Sequence, residues 1–180
     1  MAETLSNIVL IGMPGSGKST VGVLLARLTA RGFVDTDVLI RTATGRTLQD
    51  IIDTDGHLAL RKIEEGVLVG LDYHDHVIAT GGSAVYSQAA MEHLQSDGLI
   101  VFLDADLATV EARVRDSATR GLAKRPDQSL ADLFEERLPL YTRYADVTVS
   151  CGELSDVEVC SRILSELRTR KLIGGAAPRS

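Results

Sequence analysis

Residues 12–19 read Gly-Met-Pro-Gly-Ser-Gly-Lys-Ser, which fits the pattern G-x-x-x-x-G-K-[ST] at every position. The apolar run Asn7-Ile-Val-Leu-Ile11 comes directly before this stretch, and a segment with one apolar helical face follows it. The pattern therefore lies between a predicted buried strand and a predicted helix, which is the position of a phosphate-binding loop. A glycine-rich turn that binds nothing is the alternative, and both the pattern and its context disfavour it.

The composition of this loop suits the phosphates of a nucleoside triphosphate. Its glycines let successive backbone N–H groups turn toward phosphate oxygens, and the helix that follows adds its positive N-terminal end. Lys18 can reach the β- and γ-phosphates, and the Ser19 hydroxyl can ligate Mg²⁺. The predicted nucleotide-binding residues are Gly12, Pro14, Gly15, Ser16, Gly17, Lys18, Ser19 and Thr20.

Outward from this loop, short apolar strands alternate with helices. Further strands are expected at residues 33–36, 76–80, 99–103 and 147–149. Helices are expected at residues 16–31, 37–43, 47–53, 56–72, 87–95, 106–117, 130–144 and 156–171, and Pro139 should bend or end the one that contains it. This alternation predicts an α/β fold with three αβα layers and a parallel sheet. Ligands of such sheets bind at the carboxyl ends of the strands.

The length of 180 residues is typical of one domain. Because no repeat or linker divides the chain, we expect a single domain over residues 1–172 and a flexible tail at residues 173–180. The sequence contains 19 Lys and Arg against 25 Asp and Glu, a net charge of −6. This balance argues against nucleic acid or an anionic membrane as a partner. We expect a monomer.

The expected location is the cytoplasm. No run approaches the roughly 18 apolar residues of a membrane span, and the first residues lack the positive charge and apolar stretch of a secretory signal. Cys151 and Cys160 are the only cysteines, which suits two free thiols in a reducing compartment.

A nucleoside triphosphate site fits a GTPase, a remodelling ATPase or a small-molecule kinase. A GTPase carries the guanine-reading motif N-K-x-D, but the only asparagine is Asn7. Remodelling ATPases carry an apolar strand that ends in Asp-Glu, and no such run is present. The sequence therefore favours a kinase.

Two aspartates follow the second predicted strand, in the run Asp35-Thr-Asp37. Side chains two positions apart on a strand share one direction, so both carboxylates would face the ligand edge of the sheet. Such a pair can divide its roles, one supporting Mg²⁺ and the other accepting a proton from an acceptor hydroxyl. The alternative is a pair of helix-start aspartates with Asp37 as a cap.

Six motifs along residues 7–167, taken in order, closely resemble the shikimate kinase family. They are the loop with Thr20, Asp35-Thr-Asp37, Gly56 with Arg61-Lys-Ile-Glu64-Glu65, Gly81-Gly82, Arg125-Pro126 and Arg137-x-Pro139-Leu-Tyr141. The resemblance implies a five-stranded parallel sheet of the P-loop nucleoside-monophosphate-kinase type, ATP and Mg²⁺, and phosphoryl transfer to a ring hydroxyl of shikimate. It also makes Arg113 a candidate for the adenine face, with a solvated surface position as the alternative.

The resemblance assigns the catalytic step to Lys18, Asp37 and Arg125. Asp37 would bind the acceptor hydroxyl and accept its proton, and Arg125 would reach the transferring phosphate from a mobile lid at about residues 118–130. Closure of that lid would exclude the water that otherwise hydrolyses ATP. Mg²⁺ would be bound by Ser19 and, through water, by Asp35.

The resemblance assigns the acceptor carboxylate to Arg61 and Arg137, with Glu64 orienting Arg61. The backbone at Gly81 and Gly82 would approach the ring where a side chain could not fit. Position alone leaves two alternatives open, a solvated helix face for Arg61 and an ion pair with a neighbouring glutamate for Arg137.

The sequence departs from the family pattern around the acceptor pocket. Ser83 stands where a third glycine is usual, Ile52 and Leu60 stand where phenylalanines are usual, and Asp127-Gln128 replaces paired leucines. Shikimate is the preferred acceptor, and another hydroxy acid such as homoserine or gluconate is the alternative. A nucleotide-binding regulatory protein without turnover is a lesser alternative, which the intact catalytic residues disfavour.

Overall fold

The computed structural model describes residues 5–115 and 121–169. The strands are β1 (Asn7–Ile11), β2 (Gly32–Asp35), β3 (His76–Ala79), β4 (Gly98–Asp104) and β5 (Val147–Ser150). The helices are α1 (Lys18–Thr29), α2 (Thr36–Thr44), α3 (Leu48–Asp55), α4 (His57–Val69), α5 (Gln88–Asp97), α6 (Leu107–Arg115), α7 (Leu130–Tyr144) and α8 (Asp156–Thr169). A short 3₁₀ turn, Ala84–Tyr86, follows β3.

The five strands form one parallel sheet in the order β2-β3-β1-β4-β5. All five residues of the central strand β1 are buried, as expected of a parallel strand that helices cover on both faces. The helix α1 packs on α8, whereas α4 packs on α5 and α5 packs on β4. The predicted three-layer αβα architecture is confirmed. Its strand order brings the carboxyl ends of β1, β3 and β2 side by side.

Local polar residues fix the beginnings of the helices that surround these strand ends. The Asp35 carboxylate accepts the Asp37 N–H at 2.9 Å and caps α2. Thr47 and Ser129 each form a capping box, at α3 and at α7. Side-chain oxygens satisfy backbone donors that the first turn of a helix leaves unpaired, so these residues set where each helix begins.

Helix α7 runs through Pro139 and ends only at Tyr144. The sequence led us to expect a bend or an end at Pro139. Proline removes a single backbone donor, while the buried face of the helix, which includes Leu133, Arg137 and Tyr141, continues on both sides of it. Burial of that face therefore outweighs one missing hydrogen bond.

Two predicted flexible segments fall partly or wholly outside the described residues. Of the expected lid at residues 118–130, residues 121–129 form no helix or strand, and residues 118–120 are not described. The expected tail at residues 173–180 is also not described. Over residues 5–115 and 121–169, no helix has the length and apolar character that crossing a membrane requires.

Candidate active site

A cleft of about 470 Å³ lies where β1, β2 and β3 end. Its walls come from the phosphate loop, the beginning of α2, one side of α4, the turn after β3 and α7. The predicted site residues that line it are Pro14, Gly15, Gly17, Lys18, Ser19, Thr20, Asp35, Asp37, Gly81, Gly82 and Arg137. The structure thus places most of the predicted nucleotide residues and most of the predicted acceptor residues around one cavity.

The backbone of the phosphate loop has the conformation that its glycines allow. Gly15 and Gly17 have φ angles of 83° and 94°, in the region that side chains disfavour. Gly17 precedes the first turn of α1, and no side chain caps that turn. Its backbone donors and the helix dipole are therefore available to a phosphate.

Lys18 is buried beneath this loop. Its ammonium group donates to the carbonyl oxygens of Gly12 and Met13, both at 2.8 Å, and lies 3.4 Å from the Ser16 hydroxyl. Gly12 and Ser16 themselves do not line the cleft. The cation is thus held at the anion site by the loop's own carbonyls.

Two acidic groups occupy the opposite wall. Ser19 donates its hydroxyl to Asp35 at 2.6 Å, which places a hydroxyl and a carboxylate beside the phosphate loop. Asp37 lies two residues further, in the first turn of α2, where a Cβ on Gly81 would come within 2.9 Å of its carboxylate oxygen. The pair lies at a helix start, as the alternative had it, but the cap is Asp35 and not Asp37. Because β2 ends at Asp35 and α2 begins at Thr36, Asp37 reaches the cleft from the first turn of the helix and not from the strand.

Gly81 and Gly82 line the cleft where acidic groups, a guanidinium and the phosphate loop approach one another. A Cβ on Gly81 would overlap the Glu64 carboxylate, and a Cβ on Gly82 would lie 2.7 Å from both the Arg137 guanidinium and the Pro14 ring. Such separations are below van der Waals contact, so any side chain here would push the acidic and basic groups apart. The two glycines therefore keep the phosphate loop, a carboxylate and a guanidinium around one point.

Arg137 is buried, with 1% of its surface exposed. It donates to the Ala123 carbonyl oxygen at 2.8 Å and to the Tyr86 hydroxyl at 3.4 Å. Burial acts to lower the pKa of Arg137, but Tyr141 and Tyr86 hold it above its ordinary value. The structure therefore places Arg137 in the cleft wall as a permanent cation, rather than in a surface ion pair with Glu136.

Besides Gly12 and Ser16, three predicted site residues do not line the cleft: Arg61, Arg113 and Arg125. Arg113 lies beside the phosphate loop and donates to the Gly15 carbonyl oxygen at 3.1 Å. Arg61 faces a neighbouring cavity of about 300 Å³, with its guanidinium 3.6 Å above the Tyr86 ring. Arg61 also donates to the Ala123 carbonyl oxygen, at 3.3 Å.

Arg125 belongs to a network around Glu136. The Glu136 carboxylate accepts from the Arg125 guanidinium at 3.1 Å, from the Gln128 amide at 2.8 Å and from the Tyr86 hydroxyl. The Arg125 backbone N–H donates in turn to the Gln128 side chain at 3.3 Å. Gln128 is therefore a buried polar member of the lid, and this accounts for a polar residue at a position where the family usually has leucine.

The apolar wall of the acceptor half is retained despite the loss of two rings. Leu60 is buried with Ile40, Ile51 and Ala123 in one small cluster, and Ile52 packs against it. Ala123 comes from the segment 121–129, so this part of the lid rests on the wall. The two aliphatic replacements therefore keep a hydrophobic surface.

Glu64 is a buried acid at the back of the acceptor half. One of its oxygens accepts a hydrogen bond from Ser83, and the other has no hydrogen-bond partner among the described residues. The sequence predicted that Glu64 orients Arg61, whereas in the structure its hydrogen bond goes to Ser83. Burial raises the pKa of Glu64 to about 7, and the nearby Asp37 charge adds to the rise, against the opposing effects of Ser83, Arg137 and Lys18.

Glu64→Gln tests the energetic consequence of this burial. The folded-state pKa lies above the ordinary value of 4.5, so the folded chain holds the proton more tightly than the unfolded chain. This stabilisation is complete below pH 4.5 and is lost as the pH rises through 7, a change of up to about 3 kcal/mol. Glutamine has no such proton. Urea denaturation should therefore show the variant gaining stability relative to the wild type between pH 4.5 and pH 8.

The control for this experiment is Glu65→Gln, since Glu65 is exposed on the same helix. Its stability difference from the wild type should stay nearly constant over this pH range. Parallel curves for the two variants would contradict the assignment of a raised pKa to Glu64.

Three residues of this region carried no signal that the sequence analysis used. Tyr86 and Glu136 have no motif of their own, and Ala123 takes part through its backbone carbonyl, which every residue possesses. The sequence assigned Arg61 and Arg137 to one carboxylate. This shared assignment was a hint that another residue contacts both arginines.

A phosphate loop that shares one cleft with a carboxylate and a buried guanidinium, at the strand ends of a parallel sheet, is the arrangement of a P-loop kinase of small molecules. The family model described as shikimate kinase matches residues 14–168. The chain belongs to the shikimate kinase family, and it is an ATP-dependent kinase that phosphorylates a hydroxyl.

Individual relatives agree with this assignment over nearly the whole chain. A shikimate kinase of Mycobacterium bovis is 39% identical over 163 residues, covering 89% of this chain and 92% of the relative. That of Vibrio parahaemolyticus is 36% identical over 173 residues, covering 94% and 100%. The solved structure of shikimate kinase from Acinetobacter baumannii in complex with shikimate matches with a TM-score of 0.86 at 34% identity, covering 95% of this chain and 97% of that one.

Proposed function

We propose that this protein transfers the γ-phosphoryl group of ATP to a ring hydroxyl of shikimate, forming shikimate 3-phosphate and ADP. One observation carries the proposal: Asp37, Arg137 and the phosphate loop surround the adjacent glycines Gly81 and Gly82. A carboxylic acid held by Arg137 would place a hydroxyl between Asp37 and the loop. The comparisons favour shikimate over the alternatives homoserine, gluconate and a protein without turnover.

The transfer step follows from these groups. The acceptor oxygen forms a bond to the γ-phosphorus, the bond between that phosphorus and the bridging oxygen of ADP breaks, and Asp37 takes the hydroxyl proton. Lys18 exchanges the carbonyls of Gly12 and Met13 for phosphate oxygens. Arg125 leaves Glu136 and stabilises the transferring charge, as lid closure excludes water.

We propose that Mg²⁺ binds beside the phosphate loop. Ser19 and Asp35 offer a hydroxyl and a carboxylate oxygen 2.6 Å apart, and hard oxygen ligands of this kind suit Mg²⁺, which otherwise keeps waters and substrate phosphates. Ser19 would ligate the ion, and Asp35 would hold it through water. When bound, the ion neutralises charge on the β- and γ-phosphates.

Asp35→Asn should raise the Mg²⁺ concentration needed for half-maximal activity by about 10- to 100-fold, as expected when an outer ligand of a metal is lost. Asparagine is also a good helix cap, so the Asp35 cap of α2 is retained. Mg²⁺ titrations of initial rate measure the shift, and activity should recover at high Mg²⁺. An unchanged Mg²⁺ requirement would assign Asp35 to the helix cap alone.

Acceptor-dependent release of ADP tests the proposed reaction. Shikimate should accelerate ADP release by orders of magnitude over ATP with the enzyme alone, and the phosphorylated product should appear in equal amount. Homoserine and gluconate serve as matched hydroxy acids. Faster transfer to either one would reassign the acceptor, and ADP release without any acceptor product would support a protein without kinase turnover.

We also propose that one domain, over residues 1–172, performs this reaction as a monomer. The proposed transfer draws on groups between Gly12 and Arg137 of one chain and calls on no second copy. Sedimentation of the active enzyme should therefore give the mass of one chain.

A further inference from the structure

We propose that Tyr86 is a positioning residue for the acceptor carboxylate: it sets Arg61 and Arg137 so that both guanidiniums converge on one anion point. The proposal rests on the proposed function, because it concerns how the same kinase binds its acid. Tyr86 belongs to no motif that carried the family resemblance, and it does not line the main cleft.

Tyr86 contacts both arginines, each with a different part of its side chain. Its ring lies 3.6 Å from the Arg61 guanidinium, a short distance for a cation over an aromatic face. Its hydroxyl accepts from the Arg137 Nε at 3.4 Å, and the Arg137 guanidinium lies 5.3 Å from the same ring. One side chain therefore restricts two guanidiniums that come from different helices, α4 and α7.

Tyr86 is itself held in place. Its hydroxyl donates to the Glu136 carboxylate, and its backbone N–H donates to the Ser83 carbonyl oxygen at 3.1 Å within the 3₁₀ turn after β3. A tyrosine has only two side-chain torsions, so little freedom remains once both ends are bonded. The turn that positions Gly81 and Gly82 thus also positions the ring beneath Arg61.

A backbone oxygen atom occupies the point on which the two arginines converge. The Ala123 carbonyl oxygen accepts from Arg137 Nη2 at 2.8 Å and from Arg61 Nη2 at 3.3 Å. A carboxylate oxygen with its full charge would bind the same two donors more strongly than this neutral carbonyl. We assign this point to the acceptor carboxylate, which would displace the Ala123 carbonyl.

A second observation supports an anion at this point. The Arg61 Nε is buried and has no hydrogen-bond partner among the described residues. A guanidinium offers Nε and Nη donors in a planar fork that matches the two oxygens of a carboxylate. The Arg61 Nη2 donates to Ala123 and lies 4.0 Å from the Glu136 carboxylate, whereas the Nε remains for one oxygen of an acceptor carboxylate.

Steady-state kinetics on Tyr86 variants test the proposal. Tyr86→Leu removes the ring and the hydroxyl, and KM for shikimate should rise about 5- to 30-fold while kcat and KM for ATP stay within twofold. Tyr86→Phe keeps the ring under Arg61 and loses only the hydroxyl, so its KM for shikimate should rise less, by about two- to fivefold. In an Arg61→Ala background, only the contact with Arg137 is left to lose, so Tyr86→Leu should add no more than the two- to fivefold effect of Tyr86→Phe.

The matched control is Tyr144→Leu. Tyr144 is half-buried like Tyr86 and lies under another arginine, Arg143, at 5.4 Å, but it does not line the cleft. Its loss should leave both KM values unchanged. Should Tyr86→Leu fail to fold, Tyr86→Met, which fills similar space without an aromatic face, takes its place.

Three results would overturn the proposal. They are an unchanged KM for shikimate in Tyr86→Leu, equal rises in both KM values, and an effect of full size in the Arg61→Ala background. Failure of the proposed function looks different, because the wild type itself would then form no phosphorylated shikimate.

Discussion

Asp37→Asn is expected to lower kcat for phosphoryl transfer by about 10²- to 10⁴-fold, the usual contribution of a general base. Asp37 lies over Gly81 in the cleft wall, and within the described part of the chain the other carboxylate at that glycine is Glu64, which is buried. Asparagine keeps the shape of the side chain and can still bond the acceptor hydroxyl, but it cannot accept the proton. ATP affinity, measured by calorimetry, should change less than threefold.

Asp53→Asn is the control for this substitution. Asp53 is exposed on α3 and is bonded by Gln49 at 2.7 Å, so its replacement makes the same chemical change away from the cleft. It should leave kcat at the wild-type value. Near-normal turnover in Asp37→Asn would refute its role as the base, and a large loss of ATP affinity would assign it to nucleotide binding instead.

Arg125→Ala is expected to have the largest effect on kcat, a loss of about 10³- to 10⁵-fold, as for other arginines that stabilise a transferring phosphoryl group. In the structure Arg125 is paired with Glu136 at 3.1 Å, and 55% of its side chain is exposed. An exposed pair of this kind is worth about 0–1 kcal/mol. Leaving it for the phosphate therefore costs little, and losing it should leave stability nearly unchanged.

Arg46→Ala makes the comparison for Arg125. Arg46 forms a similarly exposed ion pair, with Asp55 at 2.6 Å, and it does not line the cleft. Initial rates at saturating ATP and shikimate, with thermal denaturation of each variant, separate catalysis from folding. Equal kcat values for the Arg125 and Arg46 variants would show that Arg125 never reaches the phosphate.

Much of the fold was predictable because its signals are local. The run Asn7–Ile11 is apolar from Ile8 onward and all five residues are buried, and the phosphate loop has a fixed spacing in the sequence. Strand ends in a parallel sheet share one edge. The meeting of Asp37 with the turn at Gly81 and Gly82 could therefore be anticipated from their positions after β2 and β3.

The contacts of the arginines could not be predicted in this way. Arg61 and Tyr86 come from separate elements, and their stacking depends on how α4 packs beside the turn after β3. The hydrogen bond from Ser83 to Glu64 has the same origin. The sequence showed that Ser83 is unusual for the family, but only the packed structure shows that its hydroxyl takes the buried Glu64 carboxylate as a partner.

The lid shows a second reason why contacts in the site could not be predicted from the sequence. The Ala123 carbonyl lies between Arg61 and Arg137, and the buried amide of Gln128 binds the Glu136 that holds Arg125. Backbone oxygens leave no trace in a side-chain pattern, and a polar residue in a loop is normally exposed. The lid was predicted from the resemblance to the family, which gave no sign of the inward contacts that this segment makes.

A competition between acceptors in one vessel tests the central claim most directly. The wild type is incubated with ATP, Mg²⁺ and equal concentrations of shikimate, homoserine and gluconate. Mass spectrometry then measures each phosphorylated product while only a small fraction of the ATP has been consumed. We predict that shikimate phosphate is the dominant product and forms in proportion to ADP. Dominant phosphorylation of homoserine or gluconate, or ADP without any phosphorylated acid, would contradict the account.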